Sequence, residues 1–332
     1  MTAEDPARDG PTTQFGAQLW SQASGWPRFR EAALEAEAGG WDSLWTWDHL
    51  LAIQGPWRQP IFEGWTSLGA WAALTSRIRL GLMVGANTFR NPGLTAKLAT
   101  TLDHISDGRA ILGIGGAWFE REHDAHGIDF GPGVGERLDR LDEAVGLIRR
   151  LLDGETVDHA GPAYTMHEAA QLPLPIQAHL PILVGGSGPK KTLRTVARYA
   201  DAWNTNGSLE AVTGALATLL AHCADVGRDP ASIERTVSFP MIIRDRADEA
   251  QAAYRSIMAG NGIEADLIGG TTPIPTLLGS PDEISAVLLP YRRLGFTTFI
   301  IRLPAPYDPE TLARVEEVRV ALDAQVGREA AP

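Results

Sequence analysis

The chain of 332 residues contains a single cysteine, Cys223, and can therefore form no disulfide within itself. This thiol lies in an apolar helical pattern, so we expect it in the core. The lack of a disulfide favours a reducing, cytoplasmic setting. Basic residues are also few, because 29 lysines and arginines stand against 41 aspartates and glutamates, for a net charge of -12. This balance, with no basic tract, argues against nucleic acid or an anionic membrane surface as a partner.

Several functional signatures are absent. No uninterrupted apolar stretch approaches the roughly 20 residues of a membrane span, and no glycine loop ends in the Lys-Ser/Thr pair of a nucleotide-binding P-loop. The run Gly113–Trp118 begins like a dinucleotide fingerprint but has Trp118 where the last glycine belongs. His123 and His126 lack a third ligand at metal spacing, so we predict no metal site and expect both at the surface.

Strand and helix patterns alternate along the chain without a pause, and this alternation predicts the fold. Eight apolar runs with strand character are separated by stretches of helical periodicity; the runs begin near residues 14, 41, 77, 109, 181, 201, 233 and 297. The pattern predicts an α/β fold, a (β/α)8 TIM barrel with insertions in the βα loops, as a single domain over residues 14–325. We expect residues 1–13 to be a disordered leader and residues 326–332 a tail.

Two long segments interrupt the alternation. Residues 117–135 are predicted to be irregular, and residues 154–180 form an excursion with room for a small hairpin. Loops of this length in a compact domain usually carry function or are disordered.

An acid stands beside an imidazole where the second predicted strand ends. Asp48 and His49 follow an apolar run, at the edge of a parallel barrel where ligands bind. An imidazole has an unperturbed pKa of about 6.5, so His49 is a candidate general acid or base, and Asp48 is a candidate to orient it or to touch a cofactor ring. The alternative is that His49 caps a loop and Asp48 begins a turn.

The tryptophans of this run bear on its geometry. Strict alternation would put Trp45, Trp47 and His49 on one side of the strand. Because tryptophan is bulky for a barrel interior, we expect Trp45 to face the helices and the alternation to fail near Trp47. Trp47 and Trp118 would then form flat apolar walls of a pocket.

A glycine-rich loop follows the fifth predicted strand. Gly185, Gly186, Ser187 and Gly188 bring backbone N–H groups and a hydroxyl together before a helix predicted to begin at Pro189. This arrangement is typical of a phosphate site, since a helix N-terminus attracts anions. Lys190, Lys191 and Arg194, which follow the loop, are expected to raise the local potential in an acidic protein. The alternative is a tight turn followed by solvated lysines.

Taken jointly, five short runs over residues 14–325 resemble the luciferase-like monooxygenase superfamily, and within it the oxidoreductases that use the deazaflavin coenzyme F420. The runs are Trp47–His49, Thr88–Pro92, Leu102–Arg109, Leu112–Trp118 and Gly185–Gly188. The resemblance implies a TIM barrel that carries its coenzyme at the carboxyl ends of the strands, with phosphate at the Gly185–Gly188 loop.

The resemblance also implies that Met83, Val84 and Gly85 form a bulge behind the coenzyme ring, with a non-proline cis peptide at or beside the bond between Met83 and Val84. In the sugar-phosphate dehydrogenases of the family, an acid follows the glycines of the fourth strand. This chain has Trp118 there, which favours a more apolar substrate.

These observations predict an F420-dependent oxidoreductase that moves a hydride between the deazaflavin and a small organic substrate, with His49 as general acid or base. One alternative is an FMN-dependent monooxygenase, and another is a non-catalytic flavin-binding or deazaflavin-binding protein. The sequence leaves open the substrate, the direction of hydride transfer and whether the chain forms a homodimer.

Overall fold

The structure, a computed structural model, describes residues 12–263 and 274–330, and it contains a closed barrel of parallel strands. In chain order the strands are β1 (Gln14–Leu19), β2 (Ser43–Thr46), β3 (Arg79–Leu82), β4 (Gly85–Ala86), β5 (Ala110–Gly115), β6 (Val157–Ala160), β7 (Thr165–Ala169), β8 (Ile182–Gly185), β9 (Ala202–Thr205), β10 (Glu234–Ile243), β11 (Leu277–Gly279) and β12 (Thr298–Leu303).

The helices surround the barrel. They are α1 (Trp26–Ala38), α2 (Gly64–Leu74), α3 (Pro92–Ile105), α4 (Glu120–His126), α5 (Val134–Leu152), α6 (Thr192–Tyr199), α7 (Leu209–Val226), α8 (Ala247–Gly260), α9 (Pro281–Arg293) and α10 (Pro309–Ala330).

Eight strands close the barrel in the order β1-β2-β3-β5-β8-β9-β10-β12, and β12 pairs again with β1. These are the eight predicted strands, so the (β/α)8 barrel is confirmed. Outward side chains such as Phe15 and Phe299, whose ring centroids are 5.7 Å apart, belong to the main core between barrel and helices. The inward side chains and the loops after the strands are left to form a site.

Local capping explains several helix starts. Asn91 accepts a hydrogen bond from the N–H of Leu94 at 2.8 Å, and Pro92 is the first residue of α3. Ser280 and Glu283 form a capping box at the start of α9.

The domain boundaries differ slightly from those predicted. Helix α10 continues to Ala330, so the expected tail is helical over most of its length. Thr13 is fully buried and donates to Asp323 on α10 at 2.6 Å, which places it in the packed barrel and not in a leader. Residues 1–11 lie outside the described part of the chain.

Helix α7 is the only helix, within residues 12–263 and 274–330, whose length and apolar composition would suit a membrane span. Its buried residues, Val212, Leu216, Leu219 and Cys223, recur at spacings of three and four and join the main core. The pattern is that of an outer barrel helix, and Cys223 is a free, buried thiol as expected.

Both long insertions contain regular structure. The excursion after α5 carries the antiparallel hairpin of β6 and β7. The segment after β5, predicted to be irregular, contains the short helix α4, which ends at Gly127 in the left-handed conformation. Helix α4 matters for the site because it stands beside the end of β2.

The prediction that Trp45 faces the helices is wrong. Trp45 is 2% exposed and packs inside the barrel with Met83, Ile111, Leu183 and Ile300 among its neighbours. The interior holds the indole because the adjacent strands carry glycines there. A Cβ on Gly81 would lie 2.6 Å from the Trp45 ring, and one on Gly16 would lie 2.7 Å from its Nε1.

We therefore expect Gly16→Ala to destabilise the protein by about 1–3 kcal/mol, because the new methyl group overpacks the interior against Trp45, Ser43 and Ile300. Urea unfolding, at unchanged m value, measures the effect. The matched control is Gly214→Ala in α7, where a Cβ meets nothing within 4 Å and stability should rise by up to about 1 kcal/mol. Equal stability of both variants would contradict this account of the interior.

Candidate active site

A cavity of about 550 Å³ opens at the carboxyl ends of the barrel strands. It is lined by every residue that the sequence indicated as catalytic, cofactor-binding or pocket-forming: Trp47, Asp48, His49, Met83, Val84, Gly85, Trp118, Gly185, Gly186, Ser187 and Gly188. Residues from separate βα loops thus converge on one space, although their roles stay predictions.

The bulge after β3 forms one side of this cavity. The peptide bond between Met83 and Val84 is cis, as the family resemblance implied, and Val84 projects over two glycines. A Cβ on Gly115 would lie 2.8 Å from the Val84 side chain, and one on Gly185 would lie 2.9 Å from it. Gly115 belongs to the run that began like a dinucleotide fingerprint, and its lack of a side chain makes room for Val84. This glycine is therefore explained by the packing of the bulge and not by nucleotide binding.

Asp48 holds the bulge in place. Its carboxylate accepts hydrogen bonds from the N–H of Ala86 at 2.8 Å and from the two terminal nitrogens of Arg90 at 2.7 and 3.0 Å. The Asp48 side chain is 1% exposed, and Arg90 also donates to Glu63 at 3.0 Å. Asp48 is thus committed to a bidentate ion pair and a backbone group, and neither of these bonds reaches His49.

Glu122 is the residue that orients His49, and sequence reasoning missed it. Glu122 Oε1 lies 2.8 Å from His49 Nδ1, and Oε2 accepts from the N–H of Leu50 at 2.8 Å. The Glu122 side chain is 1% exposed. With an ionised carboxylate at Nδ1, that nitrogen carries the proton, and Nε2 is the nitrogen that can exchange a proton with a ligand. Helix α4 supplies this carboxylate.

Aromatic rings surround the imidazole. Trp47 is buried, lies edge-on to His49 and packs against Trp20 at a tilt of 34°, with centroids 4.8 Å apart. Trp118 also lies edge-on to His49, at 5.7 Å, but is 62% exposed at the rim. Indole rings therefore lie on two sides of His49, and their role as walls for a ligand stays a prediction.

Helix α4 carries two histidines that were both predicted to lie at the surface, and the prediction is wrong for one of them. His126 is exposed, whereas His123 is fully buried. Its Nε2 lies 2.7 Å from the Thr88 hydroxyl and its Nδ1 lies 2.9 Å from the Phe119 carbonyl oxygen. Both nitrogens are engaged, so His123 fixes α4 against the loop after β4.

The loop after β8 is built for close approach. Gly186 has a φ of +125°, which only glycine adopts readily. Its carbonyl oxygen accepts from the Trp203 indole at 2.8 Å. Among the hydrogen bonds of the described residues, none engages the N–H of Ser187 or Gly188. These two donors therefore remain for a ligand in the cavity.

Helix α6 begins at Thr192 and not at Pro189, so the loop is longer than predicted. Lys191, expected to raise the local potential, instead turns towards α5, where its Nζ donates to Asp139 at 2.6 Å and to the Gly135 carbonyl oxygen at 2.9 Å. The loop therefore offers a ligand its backbone N–H groups and the Ser187 hydroxyl, and not the Lys191 ammonium.

The floor of the cavity contains a second residue that the sequence analysis missed, Arg302 on β12. The signal was present, because alternation along β12 places Thr298, Ile300 and Arg302 on the same face of the strand, and Ile300 lies in the barrel interior.

Comparison with known proteins agrees with the fold. Residues 10–276 match the family model described as luciferase-like monooxygenase. The chain is also similar to the phthiodiolone/phenolphthiodiolone dimycocerosates ketoreductase of Mycobacterium tuberculosis, with 34% identity over 260 residues. That match covers 69% of this chain and 64% of the ketoreductase, so the chain spans less than two thirds of this relative.

Two solved structures share the fold. An F420-dependent secondary alcohol dehydrogenase in complex with an F420-acetone adduct superposes with a TM-score of 0.80 at 20% identity, covering 94% of this chain and 99% of that one. A riboflavin lyase with modified FMN and its substrate riboflavin has a TM-score of 0.76 at 16% identity, covering 97% and 92%.

We predict that Asp48→Asn lowers the free energy of unfolding by about 3 kcal/mol, because it leaves the half-buried Arg90 without its main charge partner. The control is Asp245→Asn, which removes an equal charge from an 83% exposed carboxylate paired with Arg314 and should cost at most about 1 kcal/mol. Chemical denaturation compares the two variants. A loss at position 48 no larger than that at 245 would mean that the ion pair does not hold the bulge.

Proposed function

The chain belongs to the luciferase-like monooxygenase family, and we propose that it is an oxidoreductase that uses coenzyme F420 to interconvert a carbonyl and an alcohol on a small organic substrate. The observation that carries the proposal is the His49–Glu122 pair, which leaves one imidazole nitrogen for a ligand in the cavity. The similarity to a ketoreductase and to an F420-dependent alcohol dehydrogenase supports this reaction class.

The residues present fit a phosphate-bearing flavin or deazaflavin. The N–H groups of Ser187 and Gly188 would bind its phosphate, since no described residue engages them. Val84, held above Gly115 and Gly185, would support the ring. A bound deazaflavin supplies a ring carbon that accepts or donates a hydride.

His49 would manage the proton that accompanies the hydride. In the direction of reduction, Nε2 of the protonated imidazole gives its proton to the carbonyl oxygen as the carbon gains the hydride. In the direction of oxidation, neutral Nε2 takes the proton from the hydroxyl group. Glu122 keeps Nδ1 protonated in both directions and stabilises the imidazolium form, as a buried carboxylate does for a catalytic histidine.

The aromatic residues would position the substrate and limit water. Trp47 is buried against Trp20, and Trp118 stands at the rim, so an apolar substrate would pass Trp118 to reach His49. Excluding water strengthens the hydrogen bond between His49 and Glu122, because the local dielectric constant falls.

An FMN-dependent monooxygenase is the second candidate. The family name and the FMN-containing neighbour favour it, and a backbone phosphate cradle suits FMN equally well. The two candidates differ in whether oxygen is consumed.

The first test is coenzyme preference. We expect F420 to bind more tightly than FMN, with quenching of the cavity tryptophans Trp20, Trp47 and Trp118 as the signal. Turnover of a ketone or secondary alcohol with F420 should proceed without oxygen. Tighter binding of FMN, with oxygen uptake when the FMN is reduced, would replace this proposal by the monooxygenase.

The second test removes the acid–base group. His49→Asn should leave coenzyme affinity almost unchanged and lower turnover by roughly 10²–10⁴-fold at saturating substrate, the range typical of a lost general acid or base. The exposed His126→Asn on α4 is the control and should keep full turnover.

Glu122→Gln tests the positioning role in the same assay. The amide oxygen can still accept from Nδ1, but the charge that favours the imidazolium is gone. For alcohol oxidation, in which His49 acts as the base, the acid limb of the pH–rate profile should therefore move to lower pH. An unmoved profile in Glu122→Gln, or normal turnover in His49→Asn, would show that the pair only shapes a loop.

A further inference from the structure

The floor of the cavity is polar, and its neutral groups largely satisfy one another. Gln18 donates to the Met83 carbonyl oxygen at 3.0 Å. Asn204 donates to the hydroxyl groups of Thr236 at 2.8 Å and Ser238 at 3.1 Å, and its own oxygen accepts from Ser238 at 3.2 Å. These side chains form a preorganised surface that has little need of a ligand.

Arg302 is the exception on this floor. It stands on β12 in register with Gln18 on β1 and with Pro240 on β10, it is half-buried, and it lines the cavity. Among the described residues it has no ion pair and no hydrogen-bond acceptor, although a guanidinium offers five donors. Burial lowers the pKa of Arg302 to about 10, so it is still a cation at neutral pH.

No described group at the cavity neutralises this charge. Of the carboxylates that line it, Asp48 is held by Arg90, and Glu122 is held by His49 and the N–H of Leu50. Tyr254 lies near enough to influence Arg302, but burial raises the pKa of Tyr254, so it is a neutral phenol at neutral pH. A cation that is partly removed from water and has no counter-charge raises the free energy of the folded protein, and a bound anion would offset this desolvation penalty.

We propose that Arg302 recognises a carboxylate of the substrate, so that the enzyme acts on hydroxy or oxo acids whose carboxylate rests on the cavity floor. The planar guanidinium matches a carboxylate with two parallel hydrogen bonds. The cavity already offers a separate backbone loop for phosphate at Ser187 and Gly188. The apolar walls of Trp20 and Trp47 fit the body of such an acid. This inference rests on the proposed function only for the hydroxyl or oxo group that reacts, and the carboxylate site at Arg302 is independent of it.

The test measures binding to the coenzyme-free protein. The probe is cyclohexanecarboxylate, with the neutral cyclohexanecarboxamide as its match, followed by tryptophan fluorescence and by thermal shift. We expect the carboxylate to bind more tightly than the amide and to raise the unfolding temperature. Arg302→Gln should weaken carboxylate binding by about 10- to 100-fold and leave amide binding unchanged.

Two further variants control for charge and shape. Arg255→Gln, at an exposed position of α8, removes the same charge and should leave carboxylate affinity unchanged. Arg302→Lys keeps the charge but not the planar fork, so its affinity should lie between those of wild type and Arg302→Gln.

The unfolding temperature of the ligand-free proteins separates recognition from structure. If Arg302 awaits an anion, Arg302→Gln should unfold at the same or a higher temperature than wild type, because an uncompensated charge is removed. A lower unfolding temperature, or equal carboxylate affinity in Arg302→Gln and wild type, would overturn the proposal.

A last arm distinguishes the substrate from the coenzyme as the source of the anion. The carboxylate should still bind when the protein is saturated with coenzyme. If the coenzyme displaces it, and Arg302→Gln loses coenzyme affinity, then Arg302 serves the coenzyme and the proposed substrate class is wrong. Carboxylate recognition without F420 binding would instead leave Arg302 as assigned and remove only the proposed coenzyme.

Discussion

The ion pair between the buried Asp48 and the half-buried Arg90 is the interaction on which the candidate site depends. It joins the end of β2 to the loop after β4, and Asp48 also takes the N–H of Ala86, so one carboxylate fixes two neighbouring βα loops. Arg90 extends the connection to Glu63, which caps α2. The cost of burying Asp48 is offset by three donors in good geometry.

This ion pair determines what His49 can do. Because Asp48 faces Arg90, the next residue is presented to the insertion after β5, where Glu122 on α4 receives it. His123 anchors the same helix through its contact with Thr88, in the loop after β4. The helix that carries Glu122 is therefore fixed to a loop beside the bulge. The charges at the His49 end of the cavity are thereby paired, and Arg302 on the floor is left for a ligand.

The barrel could be predicted because each of its strands and helices can be recognised within a short stretch of sequence. Each strand is a short apolar run between helix periodicities, and the cap residues Asn91 and Ser280 mark their helices directly. The position of Asp48 and His49 followed from the same logic. The orientation of Trp45 did not, because the space for its indole is created by Gly16 and Gly81 on other strands. Volume in a barrel interior is shared across strands, which a rule about one strand does not capture.

The partners of the site residues were beyond the sequence for a related reason. Glu122 lies in a segment where the hydrophobic residues show little periodicity. It contacts His49 only because α4 folds back over the end of β2. Lys191 looked like part of a phosphate site but pairs with Asp139 on α5. Arg302 could have been found from alternation, whereas its lack of a counter-charge among the described residues emerges only when the whole cavity is assembled.

Asp48 holds the bulge in place, and we propose that His49, held by Glu122, exchanges a proton with the substrate oxygen while the coenzyme exchanges a hydride with the substrate carbon. A crystal structure of the protein grown with oxidised coenzyme F420 tests this proposal most directly. The coenzyme phosphate should lie at the N–H groups of Ser187 and Gly188 and the ring should lie against Val84. The Asp48–Arg90 and His49–Glu122 contacts should both be intact. A ring bound by an Asp48 that has left Arg90, or a coenzyme that lies outside this cavity, would contradict it.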